Sequence, residues 1–289
     1  MKSSLSFSKR ERVASGGAKR RAIIVHNHIF KNAGSSVDWA LSRNFGEGFL
    51  DHRDDLNMRR GAEYLGPFLQ ENGHILAVSS HHLTLPLPAV DNTVLLNLMM
   101  FRHPIERVSS VYHYERKQVT ASTSGAIHAR ELGLDDYIVW RMRPDVGRTI
   151  RNFHAARSLP PIRPRQAISE SMERDARNQL MTTPMLGLVE NFDGSMVLFE
   201  EVLSPYHPAI DLSYTRQNVN QDIQQSGEDR IEAMRKVISD RTYQLLMENN
   251  AVDMRLYEFC QGLFDERVKK VIDFDRKLAD FRQRCINNH

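Results

Sequence analysis

The sequence predicts a three-layer α/β fold built around a central parallel sheet, with a helical C-terminal extension. Two apolar runs support this prediction, because residues 23–25 and 93–101 have the continuous hydrophobicity of strands buried on both faces. A helix signal follows each run: a turn of small residues at 33–36 after the first, and Pro104 after the second. Strands that alternate with helices in this way form parallel sheets.

The turn after the first strand has the features of a phosphate-binding site. A helix N-terminus presents unpaired backbone N–H groups and the positive end of a dipole, and both favour anions. Lys31 adds a mobile positive charge, and Gly34 allows the backbone to approach an anion closely. Ser35 and Ser36 are expected to supply a helix cap and two hydroxyl donors. Because the lysine precedes the glycine, this is not the Gly-rich loop ending in Gly-Lys-Ser/Thr that is typical of ATP and GTP hydrolases.

The second strand ends at a candidate phosphate ligand. Arg102 follows the strand directly and therefore lies at its carboxyl end, where open α/β sheets bind their ligands. The helix predicted from Pro104 carries Ser110 two turns further on. A guanidinium and a hydroxyl placed in this way could hold one phosphate group, with the arginine supplying forked donors.

A third predicted strand, residues 75–83, ends in a pair of histidines. Histidine is the side chain best suited to take a proton from a hydroxyl near neutral pH, so His81 and His82 are candidate general bases. A histidine pair is by itself also compatible with an ordinary surface loop. The two flanking phosphate motifs favour the interpretation of this pair as a general base over that of a surface loop.

Residues 28–36 resemble the 5′-phosphosulfate loop of sulfotransferases that use 3′-phosphoadenosine 5′-phosphosulfate (PAPS). The most similar version belongs to the carbohydrate enzymes related to the heparan sulfate 2-O- and 6-O-sulfotransferases. Residues 101–110 resemble the 3′-phosphate motif of that family, Leu-Arg-Asp-Pro-x-x-Arg-x-x-Ser, with the arginine and serine at the expected separation. Phe30, Asn32 and His103 depart from the pattern, since proline, threonine and aspartate are usual at their positions.

The resemblance extends over about residues 22–264, which we take as one P-loop-like sulfotransferase domain. Weaker similarities occur at 187–192, to a short late strand, and at 218–220, to a loop near the cofactor. The resemblance implies that PAPS is the cofactor, without a metal. The residues that it implies for PAPS binding are Lys31, Asn32, Ala33, Gly34, Ser35, Ser36, Arg102 and Ser110.

The resemblance also implies a mechanism, in-line displacement at sulfur. His81 or His82 would deprotonate the acceptor hydroxyl, and the sequence does not decide between them. Lys31 would stabilise the charge that develops on the leaving phosphate. The acceptor implied by the resemblance is a carbohydrate. Two alternatives stay open: a kinase or nucleotide-binding protein of P-loop ancestry without sulfotransferase activity, and a binding protein that has lost catalysis.

The two ends of the chain are expected to lie outside the catalytic domain. Residues 1–21 hold seven basic residues against one acid, Glu11, which is typical of a flexible tail, and we expect no nucleic-acid partner. Residues 265–289 carry an apolar seam at alternating spacings of three and four, which predicts a helix that packs either on the body or in a homodimer. The seam consists of Val271, Phe274, Leu278, Phe281 and Cys285.

Composition agrees with an enzyme outside the membrane. The net charge is +3, no run approaches the roughly twenty apolar residues of a transmembrane helix, and we expect no secretory signal, since no apolar stretch follows the first basic residues. Animal carbohydrate sulfotransferases of the resembled type are anchored in the Golgi. We therefore expect a cytoplasmic, bacterial member of the family, or a chain that lacks such an anchor. The two cysteines show neither metal-site nor disulfide spacing.

Overall fold

The computed structural model describes residues 20–163, 165–215 and 227–287, and it confirms the predicted fold class. A central sheet of five parallel strands has the order β2-β3-β1-β4-β5 and is flanked by helices. The strands are β1 (Arg21–Asn27), β2 (Phe49–Asp51), β3 (Ala77–Ser80), β4 (Thr93–Phe101) and β5 (Met185–Leu188).

Thirteen α-helices lie within the described ranges. The first seven are α1 (Gly34–Phe45), α2 (Asp55–Met58), α3 (Ala62–Glu71), α4 (Pro104–Lys117), α5 (Ser124–Glu131), α6 (Leu134–Arg141) and α7 (Phe153–Arg157). The others are α8 (Glu170–Thr182), α9 (Phe192–Leu203), α10 (Gly227–Val237), α11 (Asp240–Asn249), α12 (Ala251–Val268) and α13 (Phe274–Asn287). None of them combines the length and the apolarity needed to cross a membrane.

Strand order brings the predicted site residues to one edge of the sheet. β1 lies between β3 and β4, and its last residue, Asn27, is in register with Ser80 of β3 and Met99 of β4. The chain builds the sheet on one side of β1 with β2 and β3, and then on the other side with β4 and β5. A ligand crevice is expected at such a reversal, outside the carboxyl ends of the strands.

Side-chain alternation along β1 separates the two layers of helices. Ile23 and Val25 belong to a buried cluster with Leu65 and Leu69 of α3. Ile24, which points to the opposite face, belongs to a larger cluster that includes the inner faces of α1, α9, α12 and α13. Since β1 is buried on both faces, it reads as a continuous apolar run, as the sequence indicated.

Several predicted boundaries are confirmed and others need correction. β4 and the start of α4 lie where the sequence placed them. The sequence predicts two helices across residues 229–262 with a break at Asn249 and Asn250. That break separates α11 from α12, but a second break divides α10 from α11, which begins where the Ser239 side chain accepts a hydrogen bond from the Thr242 N–H. The late strand ends at Leu188 rather than continuing to residue 192. The similarity at 218–220 lies outside the described residues.

The predicted basic tail was too long by its last residue. Arg21 is the first residue of β1, and its guanidinium donates hydrogen bonds to the backbone carbonyls of Leu69, Asn72 and Ile75. These bonds attach the beginning of the strand to the end of α3. The described fold therefore includes the residue that the sequence assigned to a solvated segment.

The apolar seam at the C-terminus packs on the body of the same chain. All five seam residues contact the main core cluster, and Phe281 is completely buried. The Tyr214 N–H donates a hydrogen bond to the Cys285 sulfur at 3.4 Å. This packing was one of the two uses predicted for the seam. Homodimerisation through α13 stays a prediction, and it would require another face of the helix.

Candidate functional site

The 28–36 loop has a backbone conformation suited to anions. Lys31 and Ala33 both have positive φ, 65° and 59°, with Asn32 between them. Alternating backbone handedness turns successive N–H groups toward one side and forms a concave anion site. The left-handed conformation costs a residue with a Cβ roughly 1–2 kcal/mol, so contacts elsewhere must hold the loop in this shape.

Two arginines at the start of α4 supply part of that support. Arg107 is fully buried, and its Nε donates to the Phe30 carbonyl at 3.0 Å. Arg102 donates from Nη1 to the Lys31 carbonyl at 3.3 Å. Both carbonyls therefore accept hydrogen bonds from the α4 side, whereas most N–H groups of the loop have no such partner among the described residues. Across the ranges that the structure describes, no acceptor pairs with the backbone N–H of Lys31, Ala33, Gly34 or Ser35.

The Asn32 side chain attaches the centre of the loop to the end of β4 and to His154 of α7. The residue is 1% exposed, and its Nδ2 donates to the Met100 carbonyl at 2.7 Å and to His154 Nε2 at 2.8 Å. Burial lowers the pKa of His154, which agrees with a neutral ring whose Nε2 accepts. Asn32 departs from the threonine of the resembled motif, and here it supplies the bond between the loop and the end of β4.

The predicted serine cap of α1 is wrong. The helix begins at Gly34, the capping residue is Ala33, and no side chain accepts a capping hydrogen bond. Ser35 and Ser36 therefore occupy the first turn of the helix, where Ser35 is exposed and Ser36 partly exposed. Their hydroxyl groups remain available to a ligand. The uncapped N–H groups add to the anion-binding capacity of this helix end.

Lys31 lies above an aromatic ring that the sequence did not single out. Its ammonium group is 4.5 Å from the centroid of the Tyr114 ring. Burial, followed by the charges of Arg102 and Lys117, lowers the pKa of Lys31. Tyr114 lies on α4, and the four-residue spacing from Glu106 through Ser110 to Tyr114 places all three on one face of that helix. That spacing in the sequence could have indicated that this face of α4 lies beside the loop.

Arg102 takes part in a buried ion-pair cluster. The Glu106 carboxylate, 1% exposed, accepts from Arg102 Nη2 at 2.7 Å and from Arg230 Nε at 2.6 Å. The charges of the two arginines outweigh burial and lower the pKa of Glu106. Ser110 is one turn beyond Glu106 and partly exposed. Phosphate binding by Arg102 and Ser110 stays a prediction, and Glu106 is a partner that sequence reasoning missed.

The two candidate bases have different surroundings. His81 Nδ1 is 2.9 Å from the His28 carbonyl, and because a carbonyl only accepts, this nitrogen carries the proton and Nε2 keeps a lone pair. Burial, with a smaller contribution from the charge of His28, lowers the pKa of His81, which favours the neutral ring. His82 instead has Nε2 at 3.0 Å from the Asp55 carboxylate. Because a carboxylate also only accepts, His82 keeps a lone pair on Nδ1, and both rings have a nitrogen that could take a proton. His81 differs in its position, since its ring lies against His28 and Phe30 of the 28–36 loop.

A histidine–aspartate cluster adjoins His81. Asp38, on the second turn of α1, has one carboxylate oxygen 2.7 Å from His26 Nδ1 and the other 2.8 Å from His28 Nδ1. The Ser79 hydroxyl is 3.0 Å from His26 Nδ1. His26 and His28 reach the same carboxylate because alternate residues of a strand point to one face. A His-x-His pattern at a strand end could have indicated this cluster.

Among the described residues, this cluster is the one group of side chains that could together offer ligands to a metal ion. The ligand atoms of His26, His28 and Asp38 all lie within 4.8 Å of one another. Ligands of one tetrahedral zinc ion, each about 2.0–2.1 Å from the metal, are about 3.4 Å apart. The shorter histidine–aspartate separations are those of hydrogen bonds, and we interpret the cluster as a hydrogen-bonded unit.

Comparison with known proteins places the chain beside an archaeal relative. A protein of Archaeoglobus fulgidus, named only as an uncharacterized protein, is 32% identical over 255 residues, which cover 85% of this chain and 98% of that protein. The chain belongs to the family of this archaeal protein. No family model matches the chain. Since the name of the relative states no activity, the function has to be argued from the site.

Proposed function

We propose that the protein is a PAPS-dependent sulfotransferase that transfers a sulfuryl group to a hydroxyl of an acceptor. The resemblance of the chain to the carbohydrate sulfotransferases makes a carbohydrate the expected acceptor. The observation that carries this proposal is the juxtaposition at the 28–36 loop. Unpaired N–H groups, the Lys31 ammonium group and a histidine with an available Nε2 all lie at the carboxyl ends of β1 and β3. Phe30 links the two sides, with its ring 5.3 Å from Tyr114 and 6.5 Å from His81.

The residues present fit a ligand with two separate phosphate groups. The free N–H groups of the loop, with Lys31, would hold the 5′-phosphosulfate end. Arg102 Nε is buried without a partner among the described residues, and this donor, with Ser110, would serve the 3′-phosphate. When bound, PAPS supplies an activated sulfuryl group on a phosphate leaving group.

The side chains of this protein would then act at both ends of the displacement. His81 Nε2 takes the proton of the acceptor hydroxyl, and the acceptor oxygen gains the sulfuryl group. The electron pair of the broken S–O bond would remain on the phosphate next to Lys31. Lys31 and the loop N–H groups stabilise that charge, which is the kind of preorganised electrostatic stabilisation that dominates in many enzymes.

The surroundings of β3 weigh against a magnesium-dependent kinase. A metal-binding carboxylate would be expected at the end of the strand beside β1, but β3 ends in Ser79 and Ser80. The nearby Asp38 already accepts hydrogen bonds from two histidines. Sulfuryl transfer requires no metal, so the two functions predict opposite responses to a chelator.

The test is direct transfer of labelled sulfate from PAPS to a panel of sugar, phenol and peptide acceptors, with and without EDTA. The expected result is transfer that survives EDTA and micromolar binding of the product, 3′-phosphoadenosine 5′-phosphate (PAP). Lys31→Ala should abolish transfer, while the exposed Lys270→Ala should not. Failure to bind PAP at high micromolar concentration, or magnesium-dependent phosphoryl transfer from ATP, would refute the proposal.

A further inference from the structure

The 28–36 loop begins with a histidine, His28, whose surroundings indicate a part in anion binding. His28 is 8% exposed, and its Nδ1 is bound to the Asp38 carboxylate at 2.8 Å. A carboxylate accepts, so Nδ1 carries a proton and the other ring nitrogen, Nε2, is the free position. Within the described part of the chain, no group pairs with Nε2 of His28.

The free edge of the His28 ring faces the first residue of α1. A Cβ built on Gly34 would lie 2.1 Å from both Cδ2 and Nε2 of His28, so the ring edge occupies the space above this glycine. Gly34 is one of the residues whose backbone N–H has no acceptor in the described ranges. Nε2 and the unpaired N–H groups of the helix end therefore border the same small region.

The other side of the ring touches the candidate base. The His28 and His81 rings have centroids 4.0 Å apart, tilted by 44°, and the His28 carbonyl fixes the tautomer of His81. His28 thus lies between the anion loop and the base. Burial lowers the pKa of His28 despite its bond to Asp38, which favours the neutral ring, and in that form the lone pair of Nε2 faces the region beside Gly34.

A lone pair directed at an anion is repulsive, and a proton on the same nitrogen turns the contact into a charge-assisted hydrogen bond. We propose that His28 is a second anion-binding histidine of this site, which takes a proton from solvent onto Nε2 when the phosphosulfate end of the ligand binds and then donates a hydrogen bond from Nε2 to an anionic oxygen. This role rests on the proposed function. Asp38 is its positioning residue, because it holds Nδ1 and favours the protonated ring.

The charged and titratable groups around His28 are few. Asp38 from α1 and Asp51 from β2 favour its protonation, while His26 from β1 opposes it. His81, which follows β3, is in ring contact with it. Because both carboxylates act in the same direction as an incoming anion, ligand binding should bring the ring to its protonated form.

Proton uptake is measured by titrating PAP into the full-length protein calorimetrically at pH 7.5, in two buffers of different ionisation enthalpy. The wild type is expected to take up roughly 0.5–1 proton more than His28→Asn, whose amide can keep the bond to Asp38. The wild-type affinity should then fall more steeply with pH, by up to about tenfold per unit for one linked proton. Protonation of PAP itself contributes equally to both proteins and cancels.

His26→Asn is the matched control, since His26 binds the same carboxylate, whereas the three atoms nearest to a Cβ on Gly34 all belong to His28. His26 only opposes protonation of His28, so His26→Asn should still take up a proton when PAP binds, while Asp38→Asn, which removes the favouring charge, should reduce the uptake. Equal uptake by wild type and His28→Asn, or equal losses in the two histidine variants, would overturn the role of His28. If His28→Asn does not fold, an Asp38→Asn protein that takes up as many protons as the wild type would overturn the role of His28 equally. Absence of PAP binding by the wild type would instead refute the proposed function.

Discussion

Gly34→Ala tests the geometry of the loop most directly. The new Cβ would lie 2.1 Å from the His28 ring, and an ordinary carbon contact of about 3.5 Å requires a shift of about 1.4 Å. Overpacking of this kind costs about 1–3 kcal/mol, and a displacement of about 1 Å at a reacting centre can cost on the order of 100-fold in rate. We expect Gly34→Ala to lower the free energy of unfolding by about 2 kcal/mol and to weaken PAP binding.

The matched control is Gly262→Ala in α12, where a new Cβ meets nothing within 4 Å. Alanine is the better helix former, so this variant should be more stable by about 0.5–1 kcal/mol. Both free energies are measured by urea unfolding, and the loss in Gly34→Ala should appear as a decrease of about 4 °C in Tm.

A double-mutant cycle separates the clash from any other effect of the added methyl group. The nearest atoms to the new Cβ all belong to the His28 ring, so Gly34→Ala should cost only a few tenths of a kcal/mol in a His28→Ala background. A coupling energy of about 2 kcal/mol is therefore expected. An equal cost in both backgrounds, or a Gly34→Ala protein as stable as Gly262→Ala, would refute the contact on which the loop geometry depends.

Four further outcomes are expected. Lys31→Ala should remain folded and lose about 100-fold or more in transfer rate, whereas Lys270→Ala keeps it; more than a tenth of the wild-type rate in Lys31→Ala would contradict its role. His81→Asn should lose at least about 100-fold and His82→Asn less than tenfold. Because burial lowers the pKa of His81, the neutral base persists to low pH, and the rate should fall only below about pH 6.5. Phe281→Ala should cost about 3–5 kcal/mol in urea unfolding, and a loss under about 1 kcal/mol would contradict the packing of α13 on the body.

The sequence was sufficient for the main elements of the fold because their signals are local. Apolar runs marked β1 and β4, and Pro104 marked the start of α4. The edge strand β2 escaped notice, since three partly exposed residues form no periodic pattern. The break at Ser239 was missed because a single capping hydrogen bond separates α10 from α11.

The site depends on long-range geometry that no local pattern contains. The left-handed conformation of Lys31 and Ala33 is rare for residues with a Cβ, and arginines more than seventy positions away support the loop. His81 and His82 are neighbours with the same side chain. Only the direction of the backbone gives one of them a carbonyl partner and the other a carboxylate.

The two motifs that suggested the function form one structural unit. In the second motif, residues 101–110, Arg102 and Arg107 donate to successive carbonyls of the loop. The strained backbone at Lys31 and Ala33 persists because these bonds, and those of Asn32, turn the peptide groups so that the N–H groups face the ligand side. We therefore expect that a loop with the lysine before the glycine does not need the second glycine of a hydrolase loop to bind an anion. Loss of Arg107 should weaken PAP binding although its side chain is completely buried, because its bond to the Phe30 carbonyl helps to hold the loop in this conformation.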